Sequence, residues 1–262
     1  MKKIYNYLNK YEPEIETGKL KLERINDIKF DNVYFSYNND RQILSNISIN
    51  VNNNDKIAIV GRTGCGKTTL VNLLCRFYDV SKGSIFINGE NINNYTLESL
   101  RENIGYVMQD VVIFDGNIYD NINYANKDVQ KEQIETICKK LRLHDKIISF
   151  SEGYELNLNK NQDLFSLGEK QMINFARIMV ENPSVVILDE ITSSLSYENE
   201  ELVKNAIKEI TKDKICFIIA HRLTTIKSCN KILYMENGKI LENGSHQELM
   251  DIKGKYYNLV KN

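Results

Sequence analysis

A stretch of eight residues, Gly61 to Thr68, follows the pattern G-x-x-x-x-G-K-[ST]. Its glycines let successive backbone N–H groups point into one concavity, which binds anions. At the end of the pattern, Lys67 can reach the β- and γ-phosphates of a nucleotide, and the Thr68 hydroxyl can ligate Mg²⁺. The pattern therefore predicts a nucleoside triphosphate site. The candidate contact residues are Gly61, Arg62, Thr63, Gly64, Cys65, Gly66, Lys67, Thr68 and Thr69.

The residues on either side of this loop favour phosphate binding over a chance glycine turn. A β-branched strand, Ile57 to Val60, precedes the loop. An apolar helix that begins near Lys67 and includes Leu70 and Phe77 is predicted to follow it. Such a helix would direct its positive N-terminal end at the bound phosphates. The loop alone does not identify the reaction, so the rest of the chain must supply it.

A continuous apolar run, Val185 to Leu188, is typical of a parallel strand that is buried on both faces. Two acids follow it, and carboxylates at the end of a buried strand are costly unless a cation or a proton transfer uses them. We therefore interpret Asp189 as a Mg²⁺ ligand and Glu190 as the group that polarises the attacking water. The alternative is that both acids are simply solvated.

Three more side chains stand at the ends of predicted strands. Gln109 follows the strand Ile104 to Met108, and the carboxyl end of a buried strand is where α/β proteins contact ligands. His221 follows Ile215 to Ala220 and is a candidate for contact with the γ-phosphate. Tyr37 ends an earlier strand, and its ring could stack on a base. The ordinary alternatives are a surface amide, a satisfied polar residue and a packing residue, respectively.

Charge, hydropathy and cysteine content argue against several other classes of protein. The formal net charge of −1 gives no basic excess for binding nucleic acid. The apolar runs are far shorter than the ~20 residues that span a bilayer. The five cysteines are scattered without a C-x-x-C pair. We therefore expect no zinc site and no disulfide framework, and a reduced cytosolic setting.

The order of the predicted elements indicates an α/β fold with a mixed sheet at its centre. Two antiparallel strands, Ile28 to Tyr37 and Ile43 to Val51, precede the loop. From about Phe114 to Gln162 the periodicity becomes helical, which indicates an inserted helical segment. A hairpin around Asn237-Gly238 and a helix with a capping box from Ser245 to Glu248 follow near the end of the sequence.

These motifs, in this order, resemble the nucleotide-binding domain of an ABC transporter, and the exporter type in particular. The similarity runs from about Ile28 to Lys261 and includes an exporter-like ending from Asn237 to Leu249. The matching positions, in chain order, are Tyr37 for the A-loop, Gly61 to Thr68 for Walker A, Gln109 for the Q-loop, Phe165 to Glu169 for the signature, Val185 to Asp189 for Walker B, Glu190 for the catalytic glutamate, Ser193 to Ser196 for the D-loop and His221 for the switch histidine.

The resemblance implies a P-loop NTPase (RecA-like) core with an N-terminal antiparallel β-subdomain and an inserted α-helical subdomain at about residues 112–162. Residues 1–24 then look like the linker that follows an absent transmembrane domain, and residues 25–262 like the ATPase domain. ATP and Mg²⁺ are the implied cofactors. The implied Mg²⁺ ligands are Thr68, Gln109 and Asp189, and the implied catalytic residues are Glu190, His221 and Gln109.

The resemblance also implies partners. Two such domains would meet head to tail, so that ATP bound by one contacts Ser166, Gly168 and Glu169 of the other. The segment from Gln109 to Asn121 would receive coupling helices from the transmembrane domains of an exporter. The chain would therefore lie at the cytoplasmic face of a membrane, and no nucleic acid partner is implied.

Three positions depart from the family pattern: Leu167 replaces a signature glycine, Glu169 a signature glutamine and Ser196 the D-loop aspartate. An asymmetric heterodimer with one weakened site and an ordinary homodimer are both open. The alternative function is a soluble ABC-type ATPase that acts on nucleic acid or ribosomes. Such proteins carry a long coiled-coil insertion or a second cassette, and the sequence shows neither. A phosphate-loop kinase would not explain residues 165–169.

Overall fold

The computed structural model of the chain describes residues 18–37, 41–108, 110–124, 126–189, 197–220 and 222–261. Several candidate residues from the sequence lie outside these ranges, namely Gln109, Glu190, Ser193–Ser196 and His221. The roles of these residues stay predictions.

Four described strands form an antiparallel sheet in the order β2-β1-β4-β5. Buried and exposed residues alternate along β1, because successive side chains of a strand point to opposite faces. The antiparallel pair predicted before the phosphate loop is confirmed, but β1 ends at Phe35, so Tyr37 lies just beyond it. The strands are β1 (Asp27–Phe35), β2 (Leu44–Asn52), β4 (Lys82–Ile87) and β5 (Glu90–Asn91).

Six described strands form a second, mixed sheet in the order β10-β9-β3-β8-β7-β6. Five of them are parallel, and β10 pairs antiparallel with β9 across the predicted hairpin. β7 and β8 are almost continuously buried, as expected for parallel strands covered on both faces. The strands are β3 (Lys56–Gly61), β6 (Ile104–Val107), β7 (Val185–Asp189), β8 (Ile215–Ile219), β9 (Lys231–Glu236) and β10 (Lys239–Gly244).

Helices cover the mixed sheet and fill the predicted insertion. The described helices are α1 (Lys67–Leu74), α2 (Leu97–Glu102), α3 (Ile118–Ile122), α4 (Lys131–Lys140), α5 (His144–Ile148), α6 (Leu167–Glu181), α7 (Tyr197–Ile210), α8 (Leu223–Lys227), α9 (His246–Ile252) and α10 (Lys255–Lys261). Three of them, α3 to α5, lie within the inserted helical segment that the sequence predicts between about Phe114 and Gln162. Within the described ranges, no helix combines the length and hydropathy that a membrane span requires.

The hydrophobic core has two parts, one on each face of the mixed sheet. Alternate residues of β3 divide between them: Ile57 and Ile59 belong to the part that includes α1 and the antiparallel sheet, whereas Ala58 and Val60 belong to the part that includes residues of α3 to α6. The strand that leads into the phosphate loop is therefore held from both sides. This arrangement fixes the position of the loop at the carboxyl edge of the sheet.

The predicted extent of the helix after the loop is wrong. α1 ends at Leu74, Cys75 is its C-cap, and Phe77 lies outside it with 47% of its surface exposed. The chain turns because Arg76 adopts a left-handed conformation with φ 49°. Its buried guanidinium donates a hydrogen bond to the carbonyl of Tyr95 at 2.9 Å. A contact distant in sequence therefore sets the end of this helix.

Residues 22–25, where the predicted linker meets the predicted ATPase domain, pack at the amino-terminal edge of the mixed sheet. Leu22 and Ile25 are buried. The backbone N–H of Leu22 donates to Ser99 Oγ, and its carbonyl accepts from Asn103 Nδ2. The backbone N–H of Ile25 donates to Ser184 Oγ. The division of the chain at residue 24 stays a prediction, but these contacts tie residues 22–25 to the starts of β6 and β7.

Candidate active site

Three glycines give the loop after β3 its shape. Gly61, Gly64 and Gly66 have φ of 147°, 79° and 107°, values that favour glycine. A Cβ on Gly61 would lie 2.1 Å from the carbonyl oxygen of Met235, and one on Gly66 would lie 2.7 Å from Leu44 Cδ2. At Gly64 a Cβ would meet nothing within 4 Å. Gly61 and Gly66 therefore let the loop pack closely, whereas Gly64 faces open space.

The hairpin between β9 and β10 supports the phosphate loop through a backbone hydrogen bond. The backbone N–H of Gly238 donates to the carbonyl of Cys65 at 3.1 Å, and its carbonyl accepts from the N–H of Ser45 at 2.8 Å. A Cβ on Gly238 would lie 2.1 Å from the carbonyl oxygen of Ile43, so only glycine fits there. The sequence predicts this glycine as part of a turn and contains no sign that it supports the loop.

Lys67 places a positive charge inside the loop, at the start of α1. Its side chain is 6% exposed. Its Nζ donates hydrogen bonds to the carbonyls of Gly61 at 2.9 Å and Arg62 at 3.2 Å. These contacts bend the lysine back over the loop, where the backbone amides and the helix N-terminus also favour an anion. Lysine and loop form one binding surface for phosphate.

The thiol of Cys65, within the loop, is buried. Burial raises the pKa of this thiol, and the nearby Lys67 charge only partly opposes the shift. The thiol therefore stays neutral at neutral pH and does not cancel the charge of the lysine.

Asp189, at the end of β7, meets two hydroxyl groups. Thr68 Oγ1 donates to Asp189 Oδ2 at 3.4 Å, and the hydroxyl of Tyr106 donates to the same oxygen at 3.0 Å. Burial, together with the Asp189 charge, raises the pKa of Tyr106, so its hydroxyl keeps the proton that it donates. Carboxylate and hydroxyl oxygens are the ligands that Mg²⁺ prefers. The sequence did not predict the participation of Tyr106.

Tyr37 lies beside the same loop. Its hydroxyl is 3.0 Å from Thr69 Oγ1. Its ring meets those of Phe35 and Tyr78 nearly at right angles, with centroids 4.9 Å away in each case. A cleft of about 280 Å³ runs between this ring and the loop. The cleft is lined by Tyr37, Ile43, Thr63, Gly64, Gly66, Lys67, Thr68 and Thr69. It therefore has an aromatic side and a phosphate-binding side.

The segment from Ser166 to Glu169 does not line this cleft. Ser166 is the N-cap of α6, and its hydroxyl accepts from the backbone N–H of Glu169 at 3.2 Å. The Glu169 carboxylate in turn accepts from the backbone N–H of Ser166 at 2.7 Å, which completes a capping box. Leu167 is 42% exposed at the first position of the helix, whereas Gly168 is buried.

A buried arginine connects α6 to the residues after β6. Arg177 donates hydrogen bonds to the carbonyls of Asn121 and Val112, at 2.7 Å each, and to Asn121 Oδ1 at 2.9 Å. Its guanidinium lies over the ring of Phe114, 4.9 Å from the centroid. No motif in the sequence marks this residue. The only available signal is a cationic side chain in the middle of an apolar helix.

These contacts border a second, larger cleft of about 930 Å³. Met108, Val112 and Tyr124 line it, and each is about half exposed although apolar. The cleft lies between the end of β6, the segment around residues 110–126 and α6.

A model of the family described as ABC transporter matches residues 44–193, which is more than half of the chain. The chain belongs to the ABC transporter family. The family resemblance and the fold class predicted from the sequence are both confirmed. In this ABC transporter chain the matched region includes the phosphate loop, the segment 166–169 and Asp189.

Known relatives are transporters of several kinds. The ATP-dependent lipid A-core flippase of Idiomarina loihiensis is 39% identical over 249 residues, which is 94% of this chain and 43% of the flippase. The mitochondrial iron-sulfur clusters transporter ABCB7 of Oryzias latipes is 40% identical over 230 residues, which is 88% of this chain and 31% of that protein.

A solved structure of a bacterial Atm1-family ABC exporter with ATP bound superposes with a TM-score of 0.87 at 32% identity. The match covers 99% of this chain and 46% of the exporter. The ABC transporter chain described here thus spans less than half the length of each of these three relatives.

The described residues fit the ATP that this family binds. The open face at Gly64 leaves room for a phosphate, and the ammonium of Lys67 supplies the countercharge. The hydroxyl of Thr68 and the carboxylate of Asp189 form an oxygen donor set suited to Mg²⁺. The structure thus brings together the phosphate loop, Asp189 and Tyr37, whereas residues 166–169 do not line the cleft beside the loop.

Proposed function

We propose that this chain is the ATP-binding and ATP-hydrolysing domain of an ABC exporter. One observation carries the proposal: the lysine and the hydroxyl of the phosphate loop lie together with the carboxylate that ends β7, although the Thr68 and Asp189 positions are 121 residues apart in the sequence. Lys67 lies within that loop, and Thr68 donates to Asp189 at its rim. Each of these side chains alone could belong to a chance turn or a solvated surface. Together they form one site suited to a polyphosphate and Mg²⁺.

In the proposed reaction, the loop amides and Lys67 hold the β- and γ-phosphates of ATP. Thr68 and Asp189, with the predicted help of Gln109, would hold Mg²⁺, which would supply positive charge to neutralise the phosphates. The predicted role of Glu190 is to polarise the attacking water, and that of His221 is to contact the γ-phosphate. The ring of Tyr37 packs against the base. Water adds to the γ-phosphorus as the bond to ADP breaks, which releases ADP and phosphate.

The proposed active unit is a dimer of two such domains. The segment 166–169 does not line the ATP cleft of its own chain, so it is available to a second domain. At the N-terminus of the 15-residue helix α6, Ser166 and Gly168 would face the γ-phosphate bound by the partner domain. Leu167 would lie at that interface. In an asymmetric heterodimer it would weaken one of the two ATP sites, whereas in a homodimer both sites would contain it and work normally. Hydrolysis would remove the shared phosphate and let the dimer open.

The other proposed partners are transmembrane domains, which would bind at the larger cleft between the end of β6, residues 110–126 and α6. The cleft of about 930 Å³ presents the exposed apolar side chains of Met108, Val112 and Tyr124 among charged and amide residues, and it is suited to receive a short helix from these domains. The chain would then work at the cytoplasmic face of a membrane. The transporter relatives and the net charge of −1 favour this function over an ATPase that acts on nucleic acid or ribosomes.

The test is nucleotide-driven dimerisation and turnover. With Mg²⁺ and ATP, Glu190→Gln should accumulate as an ATP-bound dimer in size-exclusion chromatography, because it binds ATP but hydrolyses it slowly. Lys67→Ala should bind no ATP and stay monomeric under the same conditions. Turnover of the unmodified chain should rise more than linearly with its concentration. Full turnover by Glu190→Gln would contradict the proposed role of the glutamate, and tight ATP binding by Lys67→Ala would contradict the site.

A further inference from the structure

Tyr106 lies on β6, next to the strand that carries Asp189. The two strands run parallel, with Tyr106 paired to Ile187 and Val107 to Leu188. The half-buried tyrosine side chain reaches two residues further along β7, where its hydroxyl donates to Asp189 Oδ2 at 3.0 Å. The hydrogen bond therefore crosses from one strand to the next at the carboxyl edge of the sheet, beside the phosphate loop.

The oxygen that accepts from Tyr106 also accepts from Thr68 Oγ1 at 3.4 Å. A hydroxyl has one proton and two lone pairs. When the proton of Thr68 is directed at Asp189, its lone pairs point elsewhere and can bind a cation. The orientation of the Asp189 carboxylate thus decides which side of the Thr68 hydroxyl faces the nucleotide.

The ring of Tyr106 is itself held in place. It packs near Phe77, with centroids 6.4 Å apart, and the guanidinium of Arg101 lies over Phe77 at 5.4 Å. Arg101 also donates hydrogen bonds to the carbonyls of Cys75 and Arg76, just after α1. These contacts join β6 to the end of the helix that begins with Lys67. The hydroxyl of Tyr106 therefore comes from a supported ring and has a defined position.

We propose that Tyr106 is a positioning residue for Mg²⁺. Its hydroxyl fixes the Asp189 carboxylate so that this carboxylate accepts the hydrogen bond that Thr68 donates, and Thr68, which keeps its proton, would then present a lone pair to the metal. Tyr106 does not touch the metal or the phosphates. This inference rests on the proposed function, because it concerns the same ATP and Mg²⁺ site, and it adds a residue whose effect is specific to the metal.

The experiment measures binding of a fluorescent ATP analogue while Mg²⁺ is titrated, and again with EDTA present. Tyr106→Phe removes the hydroxyl and keeps the ring. Because a hydrogen bond that orients a proposed Mg²⁺ ligand is lost, the half-saturating Mg²⁺ concentration should rise at least about tenfold. Affinity for the analogue in EDTA should stay within about twofold of the unmodified chain, since no phosphate contact changes. A thermal melt by circular dichroism checks that the variant is folded.

Tyr119→Phe is the matched control. The hydroxyl of Tyr119 also donates to a carboxylate, Glu135 Oε1 at 2.7 Å, but both residues belong to the helices of the insertion. This variant should leave the Mg²⁺ dependence unchanged. An unchanged Mg²⁺ dependence in Tyr106→Phe would overturn the inference, as would an equal loss of affinity in EDTA, which would indicate a structural role. Failure of the unmodified chain to bind the analogue at all would instead count against the proposed function.

Discussion

Replacing Arg177 by alanine should destabilise the domain strongly, although its side-chain hydrogen bonds reach Asn121, Val112 and Asn174 and not the phosphate loop or Asp189. The buried guanidinium holds together two parts of the chain that are far apart in sequence: α6 and the segment that contains Val112 and Asn121. Burial lowers the pKa of Arg177 to about 10, so it remains charged at neutral pH.

The size of the effect follows from the contacts. Alanine would leave the buried carbonyl of Asn121 without this donor, at a cost of about 1 to 3 kcal/mol, and would remove the part-buried hydrogen bond to the carbonyl of Val112, at a cost of about 1 kcal/mol. The stacking on Phe114 would also be lost, at about 1 kcal/mol. Together these losses amount to about 4 kcal/mol. For a domain of this size, 1 kcal/mol lowers the melting temperature by about 2 to 4 °C, so the expected drop is about 8 to 16 °C.

Thermal unfolding followed by circular dichroism measures this drop. Arg177→Lys should fall between alanine and the unmodified chain, because an ammonium keeps the charge but cannot donate to all of these acceptors at once. Lys208→Ala, on an exposed face of α7, controls for removal of a cation and should shift the melting temperature little. A drop of less than about 3 °C for Arg177→Ala would refute the reasoning that these contacts bind the two segments together.

Two further predictions concern the loop and the start of α6. In the assembled transporter, Leu167→Gly combined with Glu169→Gln should raise ATP turnover severalfold if one site is weakened; unchanged ATPase and transport would exclude the asymmetric arrangement. Gly61→Ala should cost more than about 3 kcal/mol, because its Cβ would lie 2.1 Å from the carbonyl of Met235. Gly64→Ala should cost only about 1 to 2 kcal/mol, since its Cβ meets nothing within 4 Å. Thermal melts of both glycine variants check the order, and the reverse order would contradict it.

Features that depend on neighbouring residues were predictable from the sequence. The apolar run from Val185 to Leu188 becomes β7, because such a run suits a strand buried on both faces. Ser245 and Glu248 form the predicted capping box, with the serine hydroxyl accepting from the N–H of Glu248 and the carboxylate accepting from the N–H of Ser245. The loop from Gly61 likewise leads into α1, because its spacing requires a strand before it and a helix after it.

Features that depend on distant residues were not predictable. α1 stops before Phe77 because Arg76 turns to reach the carbonyl of Tyr95, and nothing near the helix indicates this. Tyr106 looked like an ordinary strand residue until the register of β6 and β7 placed it beside Asp189. The signature motif at residues 166–169 was recognisable in the sequence. Its distance from the ATP that it is predicted to contact was not predictable, because that ATP would be bound by another domain.

The strand order of the mixed sheet has a consequence for the order in which the chain can fold during synthesis. β3, which carries the phosphate loop, is flanked by β8 and β9, and its pairings with Cys216 and Lys231 span about 160 residues or more. A ribosome that adds about 5 to 20 residues per second takes about 8 to 35 s to make that length. Through this interval both edges of β3 lack the strands that will pair with them.

The antiparallel sheet is complete by Asn91, so it can form early and shield one face of β3. The hairpin glycine that supports the loop, Gly238, emerges later than either flanking strand begins. A nascent chain that does not yet include Gly238 therefore lacks a residue that supports the phosphate loop. Nucleotide binding by a nascent chain would report that synthesis has passed about residue 238, and contacts of such high sequence separation predict slow folding.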